Sequence, residues 1–187
     1  MSHSHVVPSV FIRRQLGPLL HDQEKATALL NTHSIPLSAL TDNDYVESSK
    51  LASLASSVWR LLDDESTGGA QKKLKNGFFK MLCHACSDCK TLKSVLYRTC
   101  QFFSIFSEEF HFSLDVKGEE AIFVMNHDVL PESNNEYFIF SLSIVLLRWF
   151  AWLIAEKIKM ERVEFAFEQF ALLDDFENVY SCDVLFK

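Results

Sequence analysis

The chain has 187 residues, of which 48% are hydrophobic, and its 18 basic and 25 acidic residues give a net charge of −7. This length and composition suit one domain with a large apolar core, which excludes a disordered chain. The negative charge has the wrong sign for a module that neutralises nucleic-acid phosphates. The five cysteines are an odd number, and no basic stretch followed by an apolar stretch opens the chain, so we expect a reducing, cytoplasmic setting.

The first third of the chain predicts helices. Apolar residues from Val10 to Leu20 follow a helical spacing that is interrupted at Gly17-Pro18, and a second helical stretch runs from about Glu24 to His33. From Glu47 an i, i+3, i+4, i+7 spacing predicts a third helix that ends near Asp63. Asp63-Asp64-Glu65 is expected to be an exposed, solvated acidic helix end, with a loop after it.

The middle of the chain predicts a helix hairpin followed by a β-hairpin. One helix should cover about Gly77 to Ser87, and Thr91 is the expected N-cap of the next, which extends to Phe106. From Phe110 apolar and polar residues alternate up to a turn at Lys117-Gly118-Glu119, and a second alternating stretch follows. This pattern is typical of an antiparallel β-hairpin.

The segment from Tyr137 to Lys157 is apolar on almost every face and would form a helix of roughly 30 Å, long enough to cross a bilayer or a domain core. Arg148 near its centre costs about 2.5 to 3.5 kcal/mol in a membrane, and no basic cluster flanks the segment. An apolar helix of a soluble protein is a core helix. We therefore predict a buried core helix and no membrane partner.

The last part of the chain predicts a strand from Val163 to Phe167, a short helix from about Leu172 to Tyr180 and a strand from Asp183 to Phe186. The element order predicts an α+β fold, in which N-terminal helices and a helix hairpin pack with the long buried helix against a small antiparallel sheet. We expect an N-terminal helical region at 1–70 and an effector-binding core at 71–187, in one compact domain.

Several segments together resemble the N-terminal effector-binding, arabinose-binding-like domain of AraC-type bacterial transcription regulators. No single segment is specific, and the resemblance depends on their order and spacing over about 130 residues. The segments are Trp59 to Glu65, Gly77 to Cys83, Cys89 to Leu92, Phe102-Phe103, Arg148 to Ile154, Val163 to Phe165, and Tyr180 with Val184 and Phe186.

The resemblance implies a domain that senses a small-molecule effector or mediates homodimer formation, without a cofactor. In the family a C-terminal domain with two helix-turn-helix motifs binds DNA, and no such motifs follow Phe186, so DNA contact is expected only through a domain missing from this chain. Lys90, Lys93, Leu147 and Phe170 depart from the residues usual in the family, namely proline, glycine, histidine and proline. These departures affect a transfer of ligand specificity more than the fold.

Cys83, Cys86 and Cys89 have a C-x2-C-x2-C spacing, which is found in iron–sulfur sites. A fourth ligand at matching spacing is missing, since Cys100 lies eleven residues further on. The alternative is that these cysteines are small apolar residues packed in the helix hairpin, because free cysteine is commonly buried. A metal or redox site and simple packing both stay open, with packing favoured.

Arg148 is the main candidate for ligand binding. It shares a helix stripe with Ser141 and Trp152, and a buried arginine needs a partner. In one interpretation it grips the carboxylate of an effector at the edge of an aromatic pocket. In the other, which we favour, it forms an internal ion pair with one of four acids, Asp115, Glu119, Glu120 or Glu156.

Seventeen phenylalanines are many for this length, and aromatic residues flank the hairpin and the long helix. The predicted ligand-binding residues are Arg148, Trp152, Phe103, Phe112 and Tyr137, which suit a hydrophobic, aromatic or carboxylate effector. A closed pocket of a few hundred Å3 near Arg148 and Trp152 would favour sensing, and a filled interior would favour a ligand-free interaction domain. A cysteine-based redox or metal sensor is a further alternative, and no catalytic motif predicts an enzyme.

Overall fold

The computed structural model describes residues 6–41, 44–128, 135–168 and 179–187. These residues confirm the predicted α+β class. The helices are α1 Val10–Leu16, α2 Gln23–Thr32, α3 Ser48–Leu62, α4 Phe78–Ala85, α5 Leu92–Phe106 and α6 Asn135–Ile154, with short 3-10 helices at Gly17–His21 and Leu37–Leu40. The strands are β1 Val6–Pro8, β2 Tyr45–Glu47, β3 Phe110–Lys117, β4 Glu120–His127, β5 Arg162–Phe165 and β6 Asp183–Phe186.

The described strands form three separate two-stranded sheets. β1 pairs with β2 and β3 pairs with β4, both antiparallel, and the predicted hairpin turns at Gly118, which has a φ of 62°. β5 and β6 instead pair in parallel, in a sheet of their own. A parallel pair needs a connection of about a dozen residues or more, and residues 166–182 supply that length. Alternation of side chains along a strand carries no information on its partner's direction, so the sequence did not predict this pairing.

Local sequence signals explain where the central helices begin and end. Thr91 caps α5 as predicted, because its side chain accepts a hydrogen bond from the Ser94 backbone N–H at 3.1 Å. α3 ends at Leu62, and Asp63 follows it as the C-terminal cap with a left-handed φ of 50°. Gly77, with a φ of 101°, precedes α4, and glycine adopts this backbone conformation without strain. The loop from Asp63 to Gly77 therefore begins and ends at residues with a left-handed backbone conformation.

The described buried residues form three clusters. The N-terminal core joins α1, α2 and α3 through residues such as Ile12 and Leu54. The central core joins α4, α5, the hairpin and α6, with Phe103 and Phe110 fully buried, and the C-terminal core surrounds Phe165 beside α6 and β5. All members of the N-terminal core lie between residues 12 and 62. The division at residue 70 stays a prediction.

Helix α6 is less buried than the sequence predicts. By length and composition alone, Glu136–Ile154 is apolar enough to cross a membrane, and 33% of that apolar window is buried in the protein. One face, with Phe138, Leu146 and Phe150, belongs to the central core. A second face, with Phe140, Ile144 and Leu147, belongs to the C-terminal core. A third stripe exposes Arg148 and Trp152, so the helix is covered on two sides and open on one. The predicted short helix at Leu172 to Tyr180 lies mostly outside the described residues.

Candidate functional site

A small cavity lies between α3, α4 and α6, where the 63–77 loop and α1 also reach it. Its volume is about 80 Å3. Val145, which is 39% exposed, lies at its surface end. The aromatic side chains in its wall are Trp59, Phe78, Phe79, Phe103, Tyr137 and Phe138. Leu74, Leu142 and Val145 complete the apolar part of the wall, which is typical of a small-molecule site.

Aromatic contacts fix the orientation of this wall. The Phe78 ring packs edge-on against the rings of Phe102 and Phe103, with centroids 5.0 and 5.3 Å apart. Phe79 packs in the same manner against Trp149 on α6 at 5.5 Å. Edge-to-face pairs of this kind are favourable beyond the area that they bury. The first two residues of α4 are therefore held by rings of the central core, Phe78 by α5 and Phe79 by α6.

A chain of hydrogen bonds supplies the polar part of the wall. The Tyr137 hydroxyl donates to Gln15 Oε1 at 3.1 Å, and Gln15 Nε2 donates to Thr67 Oγ1 at 3.2 Å. All three residues are buried. Burial raises the pKa of Tyr137 to about 12, against a smaller opposite effect of a hydrogen bond with Ser141. The cavity thus places neutral donors and acceptors from α1, the loop and α6 beside its aromatic surface.

The 63–77 loop covers the cavity and is held by a buried carboxylate. Asp64 is only 4% exposed. Its Oδ1 accepts hydrogen bonds from the Ser66 N–H at 2.9 Å, the Ser66 hydroxyl at 2.7 Å and the Leu74 N–H at 3.0 Å, and its Oδ2 accepts from the Gly68 N–H at 3.0 Å. The prediction of a solvated acidic helix end is wrong for this residue, because these backbone donors take the place of water.

Glu65 and Glu109 bind other parts of the same loop. Glu65 lines the cavity, and its two oxygens accept from the Gly77 N–H at 2.6 Å and the Phe79 N–H at 2.8 Å at the start of α4. Glu109 lies before β3 and accepts from the Gln71 and Lys72 N–H groups at 2.9 and 3.2 Å. The Glu109 carboxylate also lies 3.4 Å from the His127 ring on β4. Carboxylates from two directions therefore fix the loop above the cavity.

The predicted ligand-binding residues do not form one site. Phe103 and Tyr137 line the cavity. Phe112 lies behind Phe103, with ring centroids 4.3 Å apart, and is a core residue of the hairpin. Trp152 is 74% exposed, about two turns of α6 beyond Val145, and does not line the cavity. Two of the predicted residues, Phe103 and Tyr137, therefore line the cavity. Phe112 packs against Phe103 from behind, and Trp152 lies apart from the cavity.

Arg148 is exposed on α6 and does not line the cavity. Its positive charge acts on Tyr180, where it lowers the pKa of the hydroxyl against the larger raising effect of burial. Within the described ranges Arg148 makes no ion pair, so the predicted pairing with Asp115, Glu119, Glu120 or Glu156 is wrong. Asp115 instead pairs with Lys117 on the same strand, at 2.8 Å. The long arginine side chain can keep its charged end in water, and no internal acid is then required.

The cysteines pack as apolar residues. Cys86 belongs to the central core and Cys83, Cys89 and Cys100 pack against it. No disulfide links the five cysteines, all of which lie in the described ranges. Over residues 6–41, 44–128, 135–168 and 179–187, no group of three or more potential ligands is placed to hold a metal ion. Burial raises the pKa of the Cys86 thiol to about 11, which keeps it protonated and unreactive near neutral pH.

Sequence reasoning missed Gln15, Trp59, Glu65 and Thr67, which all line the cavity. One of them leaves a signal in the sequence. Gln15 lies three residues after Ile12 and so falls on the apolar stripe of α1, where a polar side chain needs a buried partner. Glu65 and Thr67 lie in a loop whose path depends on distant contacts, and no local pattern identifies them.

An aromatic wall with a few convergent polar groups is the kind of lining found in small-molecule-binding modules. The family comparison is more specific. Residues 25–187 match the model of the arabinose-binding domain of AraC transcription regulators, N-terminal. The chain belongs to this family of ligand-sensing regulatory domains, which confirms the resemblance seen in the sequence. No curated protein matches the chain.

Proposed function

We propose that this chain is the effector-sensing and dimerisation domain of a cytoplasmic, bacterial AraC-type transcription regulator, with the effector bound in the cavity. Homodimer formation, and DNA binding through a further domain, are parts of the same proposal. The observation that carries it is the aromatic cavity with the Gln15–Tyr137 hydrogen bond, in a chain that the family model matches from residue 25 to 187.

The size of the cavity indicates how sensing would work. Its 80 Å3 is well below the roughly 300–1,000 Å3 of typical ligand sites, so an effector needs the wall to move. The 63–77 loop supplies part of that wall and is tied to the hairpin by Glu109. An effector that prefers the enlarged cavity shifts the population toward it and alters the loop. The changed position of the loop is the signal that would reach attached domains.

The wall supports an effector with a hydrophobic or aromatic body. The carboxylate part of the original expectation depended on Arg148, which does not line the cavity. A carboxylate effector would therefore need a different place on the molecule, beside Tyr180.

The first test is native mass spectrometry of the chain purified from its own host. We expect a dimer that carries a small molecule. In a second test, Ser141→Phe places a phenyl ring in the cavity and should abolish the bound mass, whereas Ser104→Phe on the exposed side of α5 should leave it. A monomer without any bound molecule, together with no stabilisation by a small-molecule library, would contradict the proposal.

One observation favours a second candidate, a ligand-free interaction domain. Large apolar side chains are exposed on two helices, among them Ile105 at 76% on α5 and Trp152 on α6. Exposed apolar groups of this kind are found where proteins associate. A dimer of the wild-type chain that survives Ser141→Phe but is lost in Ile105→Asp or Trp152→Asp, with no small molecule bound at any stage, would favour this candidate.

A further inference from the structure

The charges around the cavity limit the effector's own charge. Glu65 is the charged side chain in the described wall, and no lysine or arginine accompanies it. An anionic ligand would leave water, face a carboxylate and find no cation, which is strongly unfavourable in an apolar site. A cationic ligand gains little from Glu65, because both carboxylate oxygens already accept N–H groups at the positive end of α4. The wall therefore suits an uncharged ligand.

The polar groups of the cavity have unused hydrogen-bonding capacity. A glutamine amide has two N–H donors and an oxygen with two lone pairs. Among the described residues, Gln15 uses one donor on Thr67 and one lone pair on Tyr137. One N–H and one lone pair remain on a residue that lines the cavity. A ligand hydroxyl, which both donates and accepts, matches this pair of groups.

We propose that the effector is an uncharged molecule with an aromatic or compact apolar body and one hydroxyl group, which binds the Gln15 amide while the body lies between Trp59, Phe78 and Phe103. This inference rests on the proposed function and specifies the ligand of the same cavity. A sugar fits the wall less well, because it has hydroxyls on every side and most of them would face aromatic rings without a partner.

The test uses the wild-type chain and four aromatic probes of similar size. Phenol has the hydroxyl, toluene replaces it with a methyl group, benzoate carries a negative charge and benzylamine a positive charge. NMR titration gives the dissociation constants, and the indole resonance of Trp59 reports whether the cavity is the place of binding. We expect phenol to bind tightest, toluene about threefold to tenfold more weakly, as for the loss of one hydrogen bond, and the two ions more weakly still.

A variant assigns the hydroxyl contact to Gln15. Gln15→Met keeps the length of the side chain but removes the amide, and should weaken phenol binding about threefold to tenfold while toluene binding is unchanged. Gln101→Met, at an exposed position of α5, is the matched control and should change neither constant. Toluene binding also shows that the Gln15 variant is folded. If that variant fails to fold, the wild-type series decides alone.

The outcomes separate this inference from the proposed function. If toluene, benzoate or benzylamine binds at Trp59 as tightly as phenol does, the cavity is a ligand site but the assignment of an uncharged hydroxyl compound is wrong. The same holds if L-arabinose binds there more tightly than phenol. If none of the five compounds perturbs Trp59, and protein from the host carries no small molecule, the proposed function itself fails.

Discussion

Replacing Asp64 tests whether a buried carboxylate organises the loop above the cavity. The Asp64 side chain accepts four hydrogen bonds, three of them from backbone N–H groups of Ser66, Gly68 and Leu74. The variant Asp64→Asn has the same shape without the charge. Its amide oxygen can keep the three bonds now made by Oδ1, and its NH2 group must then face the Gly68 N–H.

The expected loss of stability follows from this geometry. One charge-assisted hydrogen bond is removed and the Gly68 donor is left buried beside another donor, so Asp64→Asn should lower the free energy of unfolding by about 1.5–3 kcal/mol. Asp64→Ala leaves three backbone donors without a partner and should cost about 3–5 kcal/mol. Since whole domains are stable by roughly 5–15 kcal/mol, the asparagine variant is the more informative of the two.

Urea unfolding followed by circular dichroism measures both variants, with Asp63→Asn as the matched control. Asp63 is the neighbouring acid, and its ion pair with Lys75 is exposed, so its replacement should cost far less than that of Asp64. Two results would refute the claim that the buried Asp64 carboxylate holds the 63–77 loop in place. One is an equal loss of stability for Asp63→Asn and Asp64→Asn, and the other is a loss below about 0.5 kcal/mol for Asp64→Asn.

Further predictions concern the wall and α6. Gly69→Ala should lower the free energy of unfolding in urea by about 1–3 kcal/mol, because the new Cβ would lie 2.4 Å from the Phe138 Cβ. The control Gly118→Asn, in an open turn, should lower it less. Trp152→Ala should change stability by less than about 0.5 kcal/mol, whereas Trp149→Ala should cost about 3–5 kcal/mol, and equal losses would contradict the orientation of α6. Burial raises the pKa of Tyr137 to about 12, so stability should fall as pH rises above about 10, and less steeply in Tyr137→Phe.

The predictable parts of the fold are those that depend on neighbours in sequence. Thr91 is predictable as a cap from residue type and position alone, and its partner in the structure, Ser94, is three residues away. The β3–β4 hairpin was identified because its strands alternate around a turn with glycine, and its register pairs Lys117 with Glu120 across Gly118. In both cases the interacting groups lie within a few residues of each other, so composition and spacing contain the information.

The parts that were missed depend on distant groups. Asp64 is buried because the Leu74 N–H, ten residues further on, folds back onto it, and no property of an acidic triplet indicates that. Trp152 is predicted at a pocket because it shares a helix stripe with Arg148 and Ser141, but a helix that is apolar all round does not reveal which of its sides the core will cover. The packing of α5 and the hairpin against α6 determines which side is covered, and Trp152 stays in solvent.

The small size of the cavity bears directly on whether it can act as a sensor. A ligand that fitted the 80 Å3 cavity without moving the wall would gain nothing from the enlarged state and would not shift the population toward it. A larger ligand must displace the 63–77 loop or the rings of α4. The loop is held by Asp64 and by Glu109 at the base of the hairpin, so its displacement disturbs hydrogen bonds on both sides. The free energy of those bonds sets the differential affinity that an effector must supply, and weakening them through Asp64→Asn should favour the enlarged state.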